Sequence, residues 1–205
     1  MITFDEWKIE PRCRWYNPGK SIRLYHGTSS SLILKIKSQG LVSPVGSIDE
    51  RIEAAIRLFG VEPDAQLMKR MQRIASSFWS WNHVNCICFT TNPYNASQYA
   101  HHNHMYGGEM NKLVAYYLGR LLRRKFGPLY LDSIPTVVDV LVPVSWVPNI
   151  QKYRDDAVQL LQYYALKEFD KEQIKHEIRI GRRIAASRIR RIMQAPKLFN
   201  PRLGF

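Results

Sequence analysis

The hydrophobic period of this chain switches repeatedly between two and about 3.6 residues without settling into a regular strand–helix alternation, and this irregularity most constrains its fold. Residues 22–25 form a short apolar run ending in His26-Gly27-Thr28, a strand running into a turn. Ser29 to Ser31 can cap a helix through Leu32, Ile33 and Ile36, which Gly40 closes. Residues 49–59 and 63–78 carry helical periodicity, with Pro63 suited to a first turn. Residues 86–90 read as a buried strand leading into a helix that opens near Pro93 and passes Tyr99. A long amphipathic helix is expected over 108–126, apolar through Leu113, Tyr117 and Leu121. Residues 136–142 are a β-branched strand that Pro143 terminates, and Asp155 can cap a helix over 155–169. Residues 175–180 alternate as a strand should, and 185–193 read as a basic terminal helix. The class that results is α+β, in a single domain over 1–205.

A chain of 205 residues can bury roughly 70% of its surface, so its core needs no staples. Its apolar runs fall short of the ~18 residues that a membrane-spanning helix requires, so no membrane is expected as a partner. The segment from Met1 to Trp15 carries Asp5, Glu6 and Glu10 and no apolar core of a secretory signal. Cys13, Cys86 and Cys88 cannot all pair, which fits a reducing compartment and a cytoplasmic location. Thirty Lys plus Arg against seventeen Asp plus Glu give a formal charge of +13. A field of that sign and size draws polyanions, nucleic acid above all. Neither a GxGxxG nor a Walker loop is present, so a nucleotide would be held by other means.

Three segments carry chemistry. In Leu24-Tyr25-His26-Gly27-Thr28 a histidine leaves a strand beside a glycine, offering a ring nitrogen next to an accessible backbone amide and carbonyl. In the stretch from Cys86 to Ala100 a strand with Phe89 turns into a helix where Ala96, Tyr99 and Ala100 recur at helical spacing. In His176-Glu177-Ile178-Arg179-Ile180 a glutamate sits in a mostly apolar strand, a costly position unless it points into a polar site. Read singly, each has a plain structural explanation: a packed strand end, a helix seated on small residues, a solvated strand face.

Read together and in this order, the three segments resemble the ADP-ribosyltransferase superfamily, in particular its branch of poly(ADP-ribose) polymerases, diphtheria-type toxins and tRNA 2'-phosphotransferases. The resemblance implies a split, mixed or antiparallel β core with surrounding helices and a helical insertion at about 48–82, after the first strand–helix unit. It implies NAD as substrate. His26 would bond a ribose hydroxyl and Gly27 would hold the nicotinamide carboxamide through its backbone. Tyr99 would stack on the nicotinamide ring, with Thr28, Phe89 and Ala96 completing the donor pocket. Glu177 would hold the ribose 2'-hydroxyl and stabilise the cation that develops as the glycosidic bond breaks. His26 and Glu177 are thus the expected catalytic pair. The polymerases carry a second tyrosine where this chain has Cys88, which implies mono-ADP-ribosylation rather than chain growth.

The spacing of Cys86 and Cys88 followed by His101, His102 and His104 matches no zinc pattern, so no metal is expected. Basic clusters at Arg120, Arg123, Arg124 and Lys125 and at Arg182, Arg183, Arg188, Arg190 and Arg191 flank the expected site and favour an anionic acceptor. The tyrosine pairs Tyr116-Tyr117 and Tyr163-Tyr164 can stack on bases or pack in a core. Trp79, Trp81 and His83 precede the middle strand as a cover or an anchor. The expectation is a transferase that places ADP-ribose on nucleic acid, RNA ahead of DNA. By analogy with toxins it would act in a toxin–antitoxin or anti-phage system and be restrained by an inhibitory partner. The alternatives are transfer to a protein side chain, RNA 2'-phosphotransfer, and a catalytically inactive nucleic-acid binder on the same fold.

Overall fold

Strand β1 (Ser21–Ser29) pairs antiparallel with β3 (Pro135–Pro143) along its whole length, Ile22 opposite Val142 and Gly27 opposite Val137. β3 pairs on its other side with β5 (Ile189–Gln194), giving an antiparallel sheet of order β1-β3-β5. A second, short antiparallel sheet joins β2 (Ile87–Phe89) to β4 (Ile178–Ile180), Phe89 opposite Ile178. One bridge, Tyr25 to Thr90, links the two sheets. The structure is a computed structural model, and it describes residues 21–76, 86–90, 93–147 and 178–195.

Alternation along each strand decides what the sheets bury. Ile22 and Leu24 of β1 and Val138, Val140 and Val142 of β3 face the same core as Ile87, Phe89, Ile178 and Ile180 of the second sheet. Tyr25 and Val137 point the other way, against helix α4 (Pro93–Asn103). Arg23 and Asp139 are buried too, and the Arg23 Nε donates to both carboxylate oxygens at 2.9 and 3.0 Å. Isolated in that setting either charge would be costly, so the pair fixes β1 against β3.

Helix α1 (Ile33–Gln39) follows a turn that Ser29 caps, and Gly40, at φ 77°, ends it. Helices α2 (Ile48–Leu58), α3 (Ala65–Ser76) and α5 (Glu109–Leu122) pack on one another through Ile52, Ile56, Met71, Val114 and Leu118. The start of α2 is set by a capping box, the Glu50 amide donating to Ser47 Oγ and the Ser47 amide to Glu50 Oε2. Asp64 caps α3 by accepting from the Leu67 amide, so Pro63 precedes the helix instead of opening it. Among the described residues no helix is long and apolar enough to cross a membrane.

The mixed helix–sheet class agrees with the α+β expectation, and most elements fall where the periodicity puts them. Three do not. The turn expected at His26-Gly27-Thr28 is strand instead, because β3 continues opposite these residues and carries β1 on to Ser29. Helix α5 stops at Leu122, not 126, because Arg123 turns left-handed at φ 52° and the Arg124 amide closes on the Gly119 carbonyl. The expected terminal helix over 185–193 is a short 3-10 turn, Ala186–Arg188, followed by strand β5. A β-bulge explains the misreading. Asp139 faces Arg191 while Val140 faces Ile189, so Arg190 is an extra residue. The bulge puts Ile189 and Ile192 on one sheet face at a spacing of three, which in sequence imitates a helix. The expected helix over 155–169, with Tyr163 and Tyr164, and the aromatic group Trp79, Trp81 and His83 lie outside the described residues.

Candidate active site

Among the described residues the backbones of the two sheets join at Tyr25 and Thr90, whose amides and carbonyls exchange two bonds of 2.9 Å. Tyr25 therefore directs its backbone groups away from β3 and toward β2. By the alternation of an antiparallel strand, Gly27 directs its own amide and carbonyl to that same side. Beyond the bridge, among the described residues, the strands do not continue as a ladder: the Cys88 carbonyl instead accepts a bond of 2.8 Å from His26 Nδ1. The side chain of His26 thus spans a splay between β1 and β2, and its ring lies 5.7 Å from that of Phe89.

On the opposite face of β1, helix α4 comes unusually close. A Cβ on Gly27 would stand 2.1 Å from the Ala96 carbonyl oxygen and 2.9 Å from the Ala100 nitrogen. Only glycine fits, and only small residues on α4 allow the approach. Tyr99, one helical step from Ala96 and 39% exposed, is left on the outer flank of α4.

A cleft of about 750 Å³ opens between this sheet edge, α4 and the helical cluster. Its size is that of sites taking small molecules, roughly 300–1,000 Å³. His26, Gly27, Thr28, Phe89, Ala96 and Tyr99, the six donor-site residues expected within the described segments, all line it. Glu177 and the preceding His176 lie outside the described residues. The chain re-enters the described structure at Ile178, directly opposite Phe89. Cys88 lines the cleft with Cys86.

Burial lowers the pKa of His26 from the usual imidazole value, and the bond to the Cys88 carbonyl opposes this more weakly. The ring is therefore neutral at pH 7. With Nδ1–H donating to Cys88, Nε2 keeps its lone pair and can accept from a hydroxyl.

Arg51, on α2, was not among the expected residues, yet it lines the same cleft. Desolvation lowers its pKa, and the Cys86, Cys88 and Tyr99 groups oppose that shift. Nothing in the sequence marks it: the apolar stripe of α2 runs through Ile48, Ile52, Ala55 and Ile56, and Arg51 falls on the flank just outside that stripe.

Elsewhere along the cleft, the His104 ring is hydrogen-bonded through Nδ1 to Ser133 Oγ at 2.9 Å. Among the described residues no three His, Cys, Asp or Glu side chains gather as metal ligands. No protein-family model, curated protein or solved structure gives a significant match to the chain.

Proposed function

We propose that this protein is an NAD-dependent mono-ADP-ribosyltransferase of the ADP-ribosyltransferase-like fold, acting on nucleic acid, RNA ahead of DNA. The observation that carries the reading is the convergence of six residues from two distant motifs on one cleft. His26 to Thr28 and Phe89 to Tyr99 are separated by some sixty residues of chain, with the helical segment between them.

The geometry suits the parts of NAD in turn. The inward-facing amide and carbonyl of Gly27 match the carboxamide of nicotinamide, which presents an acceptor and a donor side by side. The exposed ring of Tyr99 offers a stacking surface. The free Nε2 of His26 accepts from a ribose hydroxyl. Arg51, partly desolvated at the opposite wall, supplies the cation that a diphosphate needs. Glu177 adjoins Ile178, and in this reading its carboxylate completes the site from β4.

The reaction breaks the bond between C1' of the ribose and the nicotinamide nitrogen. The bonding pair leaves with nicotinamide, and C1' becomes oxocarbenium-like. A carboxylate at the 2'-hydroxyl stabilises that charge where it forms. The acceptor base then attacks C1' through a lone pair and releases its proton. With a cysteine, Cys88, where polymerases place a tyrosine, transfer stops after one unit. Such an enzyme in the cytoplasm would consume a common metabolite, so an inhibitory protein partner belongs to the proposal, as does a role as a toxin in conflict with phage or host.

Nicotinamide release from NAD by the whole protein, with and without RNA, tests the reading. Glu177→Gln should lower it about a hundredfold or more. Labelled ADP-ribose should follow the nucleic acid and be lost on nuclease treatment; label that resists nuclease and yields to protease would replace this acceptor with a protein. A wild-type protein that releases no nicotinamide sinks the transferase altogether.

A further inference from the structure

The loop joining β4 to β5, together with β5 itself, carries Arg182, Arg183, Arg188, Arg190 and Arg191. Arginines on a surface usually cost conformational entropy to engage, because each long side chain must be frozen. Here three of them are already held. The guanidinium carbons of Arg182 and Arg188 lie 5.7 and 4.9 Å from the centre of the Trp146 ring, so two cations share one indole. Arg183 Nε donates to the Gln39 carbonyl at 2.8 Å. Arg190 is the extra residue of the bulge and is exposed.

The loop is also fastened to the cleft. Ile184 and Leu41 exchange both backbone bonds, at 2.9 and 2.8 Å, and Leu41 lines the cleft. Gly40 makes this possible: a Cβ there would lie 2.0 Å from the Ile184 carbonyl oxygen. A ligand lying across the arginines is thereby led to the lip of the cleft.

A plainer reason for charge at this place exists, since β5 is the outer strand of its sheet among the described residues and charge blunts such edges. Edge protection needs only exposed charge. It does not call for two arginines stacked on one tryptophan, or a third tied to a helix end. We propose that this pre-ordered arginine strip is the docking surface for the phosphodiester backbone of nucleic acid, delivering it to the cleft over Leu41. The use of what is bound rests on the transferase reading; the binding does not.

The test measures fluorescence anisotropy of labelled oligouridylate and oligothymidylate of equal length with the full chain, without NAD, over a range of salt. Each phosphate contact to a single strand contributes about 0.7 to the salt exponent, or about fivefold in affinity at 0.1 M salt. The double variant R182Q/R188Q should therefore bind about twenty-five-fold more weakly, with a salt slope smaller by about 1.4. Arg190→Gln, which leaves the Trp146 stack untouched, should cost about fivefold. R123Q/R124Q removes the same formal charge from the end of α5 on the helical cluster and should change affinity far less.

Equal weakening by the two double variants would reduce the effect to net charge and overturn the strip. So would tighter binding of poly-glutamate than of either oligonucleotide, which would make the partner an acidic protein. Binding of either oligonucleotide supports the strip. Wild-type nicotinamide release separates the two proposals. Normal release with RNA binding indifferent to R182Q/R188Q removes the strip alone, whereas strip-dependent binding without release removes the transferase alone.

Discussion

The two walls of the cleft follow different rules. The sheet wall is made by backbone: the Gly27 amide and carbonyl face inward, the Cys88 carbonyl is taken by His26, and α4 presses on β1 without room for a methyl group. The helical wall is made by side chains, chiefly Arg51 on a helix whose own packing runs through Ile52, Ala55 and Ile56. A substitution in the first wall should disturb fold and ligand together. In the second, a side chain can be removed while the helix stays seated. The contrast separates what shapes the cleft from what charges it.

Gly27→Ala is the harshest way to probe the contrast. Its Cβ would meet a backbone oxygen at 2.1 Å, and a backbone atom cannot swing aside as a side chain can. Overpacking of this kind should cost about 3 kcal/mol or more, lowering the melting temperature on the order of 10 °C. Nicotinamide release should fall with it. A variant that melts as the wild type does would mean that α4 and β1 can separate freely, and the sheet wall would lose its rigidity in this account.

Arg51→Ala should do the reverse. Removing a half-buried cation that desolvation already penalises should leave the melting temperature nearly unchanged. The loss should appear in ligand affinity: a charge-assisted contact to phosphate is worth about 1.5–3 kcal/mol, so KM for NAD should rise about ten- to a hundredfold. ADP should lose affinity by a similar factor and adenosine should not. If adenosine suffers equally, Arg51 shapes the wall and does not bind phosphate.

The same division explains what could be seen in the sequence. His26, Gly27, Phe89, Ala96 and Tyr99 stand in short runs where strand period meets helix period, and it was the order of those runs, through the family resemblance, that singled them out. Arg51 stands alone on an amphipathic helix, and only tertiary packing reveals that its flank borders a cleft instead of solvent. β5 went unread for another reason. Its bulge spaces Ile189 and Ile192 three apart, and sequence periodicity cannot distinguish a helical turn from a strand with one extra residue. The left-handed Arg123 ended α5 early without the glycine that ordinarily announces such a stop. Glu177 reads as a costly carboxylate in an apolar strand, and it lies outside the described residues.

The smallest expected effect lies in the pH dependence, and it again sets one wall against the other. Burial makes the folded protein prefer neutral His26, whereas in the unfolded chain the ring titrates near the ordinary 6.5. Below that value the unfolded state binds the proton first. The His26 contribution to stability is therefore complete above pH 6.5 and declines as pH falls through that value toward the lower folded pKa. His102 and His104 shift in the same direction, His102 by burial and by the nearby Lys112 and His101, so they add to the slope. Their removal by substitution should leave the part due to His26 in place. His26→Gln, which keeps a donor for the Cys88 carbonyl, should flatten the decline in melting temperature as pH falls below 6.5, whereas Arg51→Ala should leave it as it is. An unaltered slope in His26→Gln would mean that the ring is hydrated in the folded state, and the neutral acceptor nitrogen on which the sheet wall depends would be lost.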